Sequence, residues 1–147
     1  MKTATILIMH LTSDVIFIFL FLRNAESQAP TITSAPSNPL QLVEGGNVTL
    51  QWTYNTGGSA FQEAAFESRG FPFIVRKTTG ASAIIFPAFV GRLTANITET
   101  NASITFLLVN RSDSRVYEFV VFNQDFRIAL QQFTMDVLCK STFFLSF

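Results

Sequence analysis

The sequence predicts an all-β domain behind an apolar N-terminal segment, and three observations carry that reading. Apolar and polar side chains alternate with period two in NVTLQWTY (Asn47 to Tyr54) and in RVYEFVVF (Arg115 to Phe122), the spacing of a strand with one buried face. Turn signals separate such runs at Glu44-Gly45-Gly46, Asn55-Thr56-Gly57-Gly58 and Gln124-Asp125. Pro30, Pro36, Pro39, Pro72 and Pro87 interrupt the remaining segments in a way that suits extended edges and not helices.

The chain has 147 residues, enough for one domain and a targeting segment, and nothing suggests a second core. Its formal charge is zero. It stays zero without Lys2, Asp14, Arg23 and Glu26, since eight basic residues then face eight acidic ones. No basic field is present to hold nucleic acid or an anionic membrane. Of 17 phenylalanines, Phe17, Phe19 and Phe21 fall near the N-terminus and Phe143, Phe144 and Phe147 in the tail. The remaining 11 are a normal load for a core plus an adhesive patch.

Residues 1–27 read as a secretory signal peptide, expected to be helical: Lys2, an apolar stretch ending in VIFIFLFL, then Ala25-Glu26-Ser27. Cleavage is expected between Ser27 and Gln28, because a cut after Ala29 would leave Pro30 directly behind the bond. Thr12-Ser13-Asp14 interrupt the apolar run, which keeps an uncleaved anchor as the alternative. The unbroken run is far shorter than the ~20 residues of a membrane helix.

Residues 28–35 are expected as an extended N-terminal segment, and 36–138 as the domain. Within it, Val48, Leu50 and Trp52 point inward from one strand. Phe61 to Ser68 forms the next, with Ala64 and Phe66 on one face. Phe71 to Lys77 and Ser82 to Val90 read as short edge strands. Gly91-Arg92-Leu93 opens another strand, and Ile104, Phe106 and Val109 mark the one after it. In the last strand, Ile128 to Leu138, Leu130 and Phe133 differ in parity, which predicts a bulge near Gln131 and Gln132. Residues 139–147, CKSTFFLSF, form a short tail without pattern.

Four motifs in order carry a resemblance: EGGNVTLQW at Glu44 to Trp52, GRL at Gly91 to Leu93, NASITF at Asn101 to Phe106, and DSRVYEF at Asp113 to Phe119. The last has the spacing D-x-x-x-Y-x-apolar. Together they resemble a variable-type (V-set) immunoglobulin-like domain, in particular the receptor and adhesion domains of marine invertebrates. The resemblance implies a two-sheet antiparallel β-sandwich. It implies a tyrosine corner at Tyr117, an ion pair of Arg92 with Asp113 and a core that includes Phe66, Ile104, Phe106 and Tyr117. Arg115 departs from the small residue usual at its position, and the F-G-x-G bulge motif is missing.

The departure that matters most is the missing intradomain disulfide. Cys139 is the one cysteine, so no bond can form inside the domain. Trp52 and Phe119 stand where the family keeps its two bonded cysteines. Losing a disulfide costs ~2 to 4 kcal/mol. Burying two such rings removes on the order of 150 to 250 Å² each from water, which is worth roughly 4 to 6 kcal/mol per ring as an upper bound. The pair can therefore compensate, with Ala64 and Phe66 in place of bulkier neighbours making room.

Four glycosylation sequons begin at Asn47, Asn96, Asn101 and Asn110. On the family topology none lies on the sheet containing Phe61 to Lys77 and Arg115 to Leu138, so that sheet is expected to be the bare, protein-binding face. Phe71, Phe73, Phe122 and Phe126 are its candidate aromatics, beside Phe86 and Phe89 and rimmed by Arg76 and Lys77.

Signs of catalysis are thin. His10 is the lone histidine and leaves with the signal peptide. Glu63 and Glu67 share a strand face, which suits a solvated surface better than a glycosidase pair. No phosphate loop or metal-ligand spacing occurs. The expected function is a non-enzymatic, secreted or surface-displayed recognition module that takes no cofactor or small-molecule substrate and binds a protein ligand or its own kind. The alternative is a stalk domain of a longer receptor.

Overall fold

The computed structural model describes residues 3–11, 15–23 and 28–140, the first two stretches as backbone alone. Strands β1 (Thr3–Leu11) and β2 (Val15–Arg23) pair antiparallel as a separate sheet, from Thr3 opposite Arg23 to Leu11 opposite Val15. The expected signal-peptide helix is thus replaced by a hairpin. Its arms are rich in isoleucine, phenylalanine, valine and threonine, which favour strands. Ser27, on one side of the expected cleavage bond, lies outside the described residues, as do residues 141–147 of the tail.

From Gln28 onward the chain is an all-β sandwich of two sheets. One sheet has four strands in the order β3-β5-β10-β9, made by Thr31–Ser34, Val48–Asn55, Asn101–Phe106 and Leu93–Ile97. The other has six in the order β4-β12-β11-β6-β7-β8, made by Leu40–Val43, Ile128–Leu138, Arg115–Asn123, Phe61–Ser68, Phe71–Thr78 and Ile84–Ile85. β3 belongs to the four-stranded sheet, so residues 28–35 are part of the sandwich. The chain crosses to the other sheet through a cis Asn38-Pro39 bond, and β4 then runs parallel to the end of β12.

Alternation dictates what lies between the sheets. Leu50, Trp52 and Tyr54 of β5, Ala64 and Phe66 of β6, Ala102, Ile104 and Phe106 of β10, and Tyr117, Phe119 and Val121 of β11 are all buried in one core. Trp52, Tyr54, Phe61, Phe66, Phe106, Tyr117, Phe119 and Phe133 form a continuous aromatic cluster.

Two expectations about strands need correction. β12 pairs with β11 without a shift, from Arg115 opposite Met135 to Phe122 opposite Ile128, so Gln131 and Gln132 carry no bulge. Leu130 and Phe133 differ in parity because they face opposite ways: Leu130 is exposed and Phe133 buried. β7 is not an edge strand. The two-residue β8 pairs with it, and its Ile74 and Val75 are fully buried. Pro87 opens a 3-10 turn, Pro87–Phe89, that ends the sheet there.

Candidate binding face and the residues that frame it

The two rings expected in place of a disulfide meet across the sandwich. Trp52 stacks on Phe119 with centroids 4.5 Å apart, and its indole Nε1 donates to Gln131 Oε1 at 3.0 Å. Gln131 is inward-facing, in step with Phe133, and supplies the acceptor that a buried indole requires.

At one end of the sandwich, a 3-10 turn, Arg111–Asp113, leads into β11. Asp113, 2 % exposed, accepts at Oδ2 from Arg92 Nη2 at 2.7 Å and from the Asn110 amide at 2.9 Å. Its carbonyl accepts from the Tyr117 hydroxyl at 2.9 Å. Burial pushes the Tyr117 hydroxyl far above the ordinary phenol range. Asn110 caps the turn, its Oδ1 accepting from Ser112 N. At the opposite end Asn123 is fully buried. Its Nδ2 donates to Gln28 O and Thr56 O, and its Oδ1 accepts from the amides of Asp125 and Arg127. Sequence reasoning passed over both Gln131 and Asn123, although the parity of Phe133 and of Phe119 points each inward.

The outer faces of the two sheets differ in chemistry. On the four-stranded sheet, Thr49, Gln51 and Thr53 of β5, Asn101, Ser103 and Thr105 of β10, and Thr94 and Asn96 of β9 point outward by alternation from their buried neighbours. This surface is hydroxyl and amide throughout, knitted by Thr49–Thr105 and Thr33–Thr53 hydrogen bonds. Asn96 and Asn101 are exposed on it. Asn47 sits in the turn before β5, where its Oδ1 accepts from Leu108 N. No sequon asparagine lies on the outer face of the six-stranded sheet.

That second face is laid out in cross-strand rows. Leu130, Val120, Ala65 and Arg76 lie side by side across β12, β11, β6 and β7; Leu130 and Arg76 are exposed, while Val120 and Ala65 between them are buried. Ile128, Phe122 and Glu63 form the row on one flank, with Glu63 paired to Arg76 at 2.7 Å. Gln132, Glu118 and Glu67 form the other, and Gln132 Nε2 donates to Glu118 Oε1 at 2.8 Å. Glu67 stands opposite Glu118, and its carboxyl is held above the usual carboxylate range by burial first and by the charges of Glu118 and Glu63 next. Beyond this row a cleft of about 530 Å³ is lined by Glu67, Arg69, Phe71, Val116 and Glu118 among others.

The four candidate aromatics do not form one patch. Phe122 is on the face and Phe126, 77 % exposed, is at the tip of the β11–β12 turn. Phe71 pairs with Ser68, which faces Tyr117, five residues along β11 from Phe122, a separation of roughly 17 Å at the strand rise. Phe71 packs against the core and meets Phe86 at 5.8 Å and Phe89 at 5.2 Å, while Phe73 meets Phe86 at 6.0 Å. Phe71 and Phe73 share the parity of the buried Val75 on β7, and beyond the irregularity between β6 and β7 Phe71 lies opposite Ser68. Arg115 lies over the Phe71 ring. Arg76 is spent on Glu63, and Lys77 donates to the Ala81 carbonyl.

Cys139 is exposed just beyond β12. Among the described residues no helix is long and apolar enough to cross a membrane. Comparison with models of known protein families and with curated proteins returns no match.

Proposed function

We propose that the chain is a variable-type immunoglobulin-like recognition domain, secreted or held at the cell surface, that binds a protein ligand through the outer face of its six-stranded sheet. The type is supported by the strand orders, by β4 pairing parallel to β12, and by Arg92, Asp113 and Tyr117 in one hydrogen-bonded group. Adhesion, self-recognition and immune-type sensing are the roles such a module fills, and this step is an analogy of fold.

The observation that carries the binding face is the asymmetry of the two outer surfaces. All four sequons lie on the four-stranded sheet or in turns away from the other face. N-linked sugars would shield that side. The opposite surface presents exposed Leu130 and Ile128 and half-buried Phe122 beside the carboxylates of Glu63, Glu67 and Glu118, apolar side chains next to charged ones.

The test is a binding screen of the full chain, made in a secretory host, against extracellular proteins and against itself. Phe122→Asp should abolish capture and Thr53→Arg on the other sheet should leave it intact. Loss of capture with Thr53→Arg alone would overturn the assignment. Capture of no extracellular protein would favour the stalk reading.

A further inference from the structure

We infer that the free edge of β12 between Ile128 and Gln132 is a strand-pairing site for a second copy of this chain, formed by backbone groups at the rim of the face to which the same residues lend their side chains. β12 is paired with β11 from Ile128 to Met135, but β4 covers its other edge only from Met135 to Leu138. Two hydrogen bonds fix which backbone groups point to the uncovered side. Asn123 N donates to Arg127 O, so the odd residues of this strand bond toward β11, and Thr134 N donates to Asn38 Oδ1 on the opposite side. Ile128, Leu130 and Gln132 therefore turn their N–H and C=O groups outward. Of these, the Gln132 carbonyl takes one bond, at 3.3 Å from Gln131 Nε2, and keeps a second lone pair.

The edge lacks the usual protections. From Ile128 to Met135 there is no charge, no proline and no bulge, the devices that natural sheets use to block edge pairing. Ile128 and Leu130 are 51 % and 52 % exposed. Beside them an open cleft of about 560 Å³ runs between the edge and residues Pro30 to Ala35, space beside the unpaired groups for an incoming strand.

A second copy fits because the segment is complementary to itself. With a two-fold axis at Leu130, that residue faces its own copy and Ile128 faces Gln132 of the other chain. All three are positions whose backbone groups point outward, so each pair can exchange two bonds, about six in all. No like charges meet, and the two leucines pack against each other. The result joins two six-stranded sheets into one.

The experiment is sedimentation velocity on the full chain across a concentration series. We expect a monomer–dimer equilibrium. Leu130→Pro removes an outward N–H that β11 does not use, and Leu130→Lys puts a charge on the axis. Each should weaken dimerisation by roughly tenfold or more while the thermal midpoint of the monomer stays close to that of the parent. Phe122→Asp, on the face and off the edge, should leave the dimer intact. A chain monomeric at all concentrations would overturn the inference. So would a dimer that survives both Leu130 variants, or one lost with Phe122→Asp instead.

Discussion

Trp52 lies almost flat on Phe119, the ring centroids 4.5 Å and the planes 17° apart, with both side chains out of solvent. The contact joins the two sheets of the sandwich. Phe66 at 5.7 Å and Phe133 at 6.0 Å close around the indole, and Ala102, paired across the strand from Trp52, leaves it room.

Replacing both rings by cysteine should therefore weaken the fold. Each large-to-small change in such a core costs about 3 to 5 kcal/mol, whereas the new disulfide returns only about 2 to 4 kcal/mol. Denaturant unfolding of the double variant, oxidised and reduced, measures both quantities. An oxidised variant more stable than the parent would contradict the view that the aromatic pair substitutes for a crosslink.

Asp113 collects three interactions with little solvent nearby, from Arg92, the Asn110 amide and the Tyr117 hydroxyl. Asp113→Ala leaves Arg92 and a backbone N–H without their acceptor, and should cost about 3 kcal/mol, the lower end for a broken buried pair because Arg92 is partly solvated. Tyr117→Phe keeps the packing and loses one buried bond, about 1 to 3 kcal/mol. Chemical denaturation should rank the two variants in that order.

Much of this was legible in the chain. Alternation located Val48–Asn55, Phe61–Ser68 and Arg115–Asn123, because each strand has one face in the core. The sequence did not reveal where a side chain lies along its sheet: Phe71 is opposite Ser68, at the other end of β6 from the Glu63 that pairs with Phe122. Nor did it reveal pairings between distant segments, such as Trp52 with Gln131. Leu130 misled for the opposite reason. An apolar residue was assumed to face inward, and the apparent break in pattern was its exposure on an unbroken strand.

Glu67 gives a pH dependence whose sign is fixed. Its carboxyl binds protons more tightly in the folded chain than in the unfolded one, because burial and the charges of Glu118 and Glu63 disfavour ionisation. Stability from this group is present at acidic pH and is lost as pH rises through the raised value. Glu67→Gln should then raise the thermal midpoint at pH 7 and change it little near pH 4. The gain should be at most about 1 kcal/mol, as for like charges directly opposite on a screened sheet surface. Melting curves at the two pH values decide it, and an equal effect at both would remove the electrostatic explanation.

The sequons separate sugar loss from structural loss. Removing Asn96 or Asn110 should each reduce the mass of the secreted chain by one glycan. Only Asn110 also caps the turn before Asp113, with its Oδ1 on Ser112 N. Asn110→Gln should therefore lower stability by about 1 kcal/mol even after enzymatic deglycosylation, while Asn96→Gln, on an exposed strand position, should not. Intact mass and thermal denaturation of the deglycosylated proteins test both halves.

Gly57 and Gly58 look alike in sequence and should behave differently. Both have positive φ, +72° and +81°, so alanine at either incurs the left-handed penalty of about 1 to 2 kcal/mol. A methyl group at Gly58 meets open space, but at Gly57 it would lie 2.1 Å from the Gln28 carbonyl oxygen and 2.7 Å from that of Ala29. Gly57 O also accepts from Gln28 N at 3.0 Å, and Asn123 holds Gln28 from the other side. Gly57→Ala must displace the segment that leads into β3, whereas Gly58→Ala need not. Limited proteolysis should therefore cut near residues 28–35 faster in the Gly57 variant alone, with a larger fall in unfolding free energy. Equal proteolysis in the two variants would mean that this segment is held by β3 and not by the Gly57–Asn123 clamp.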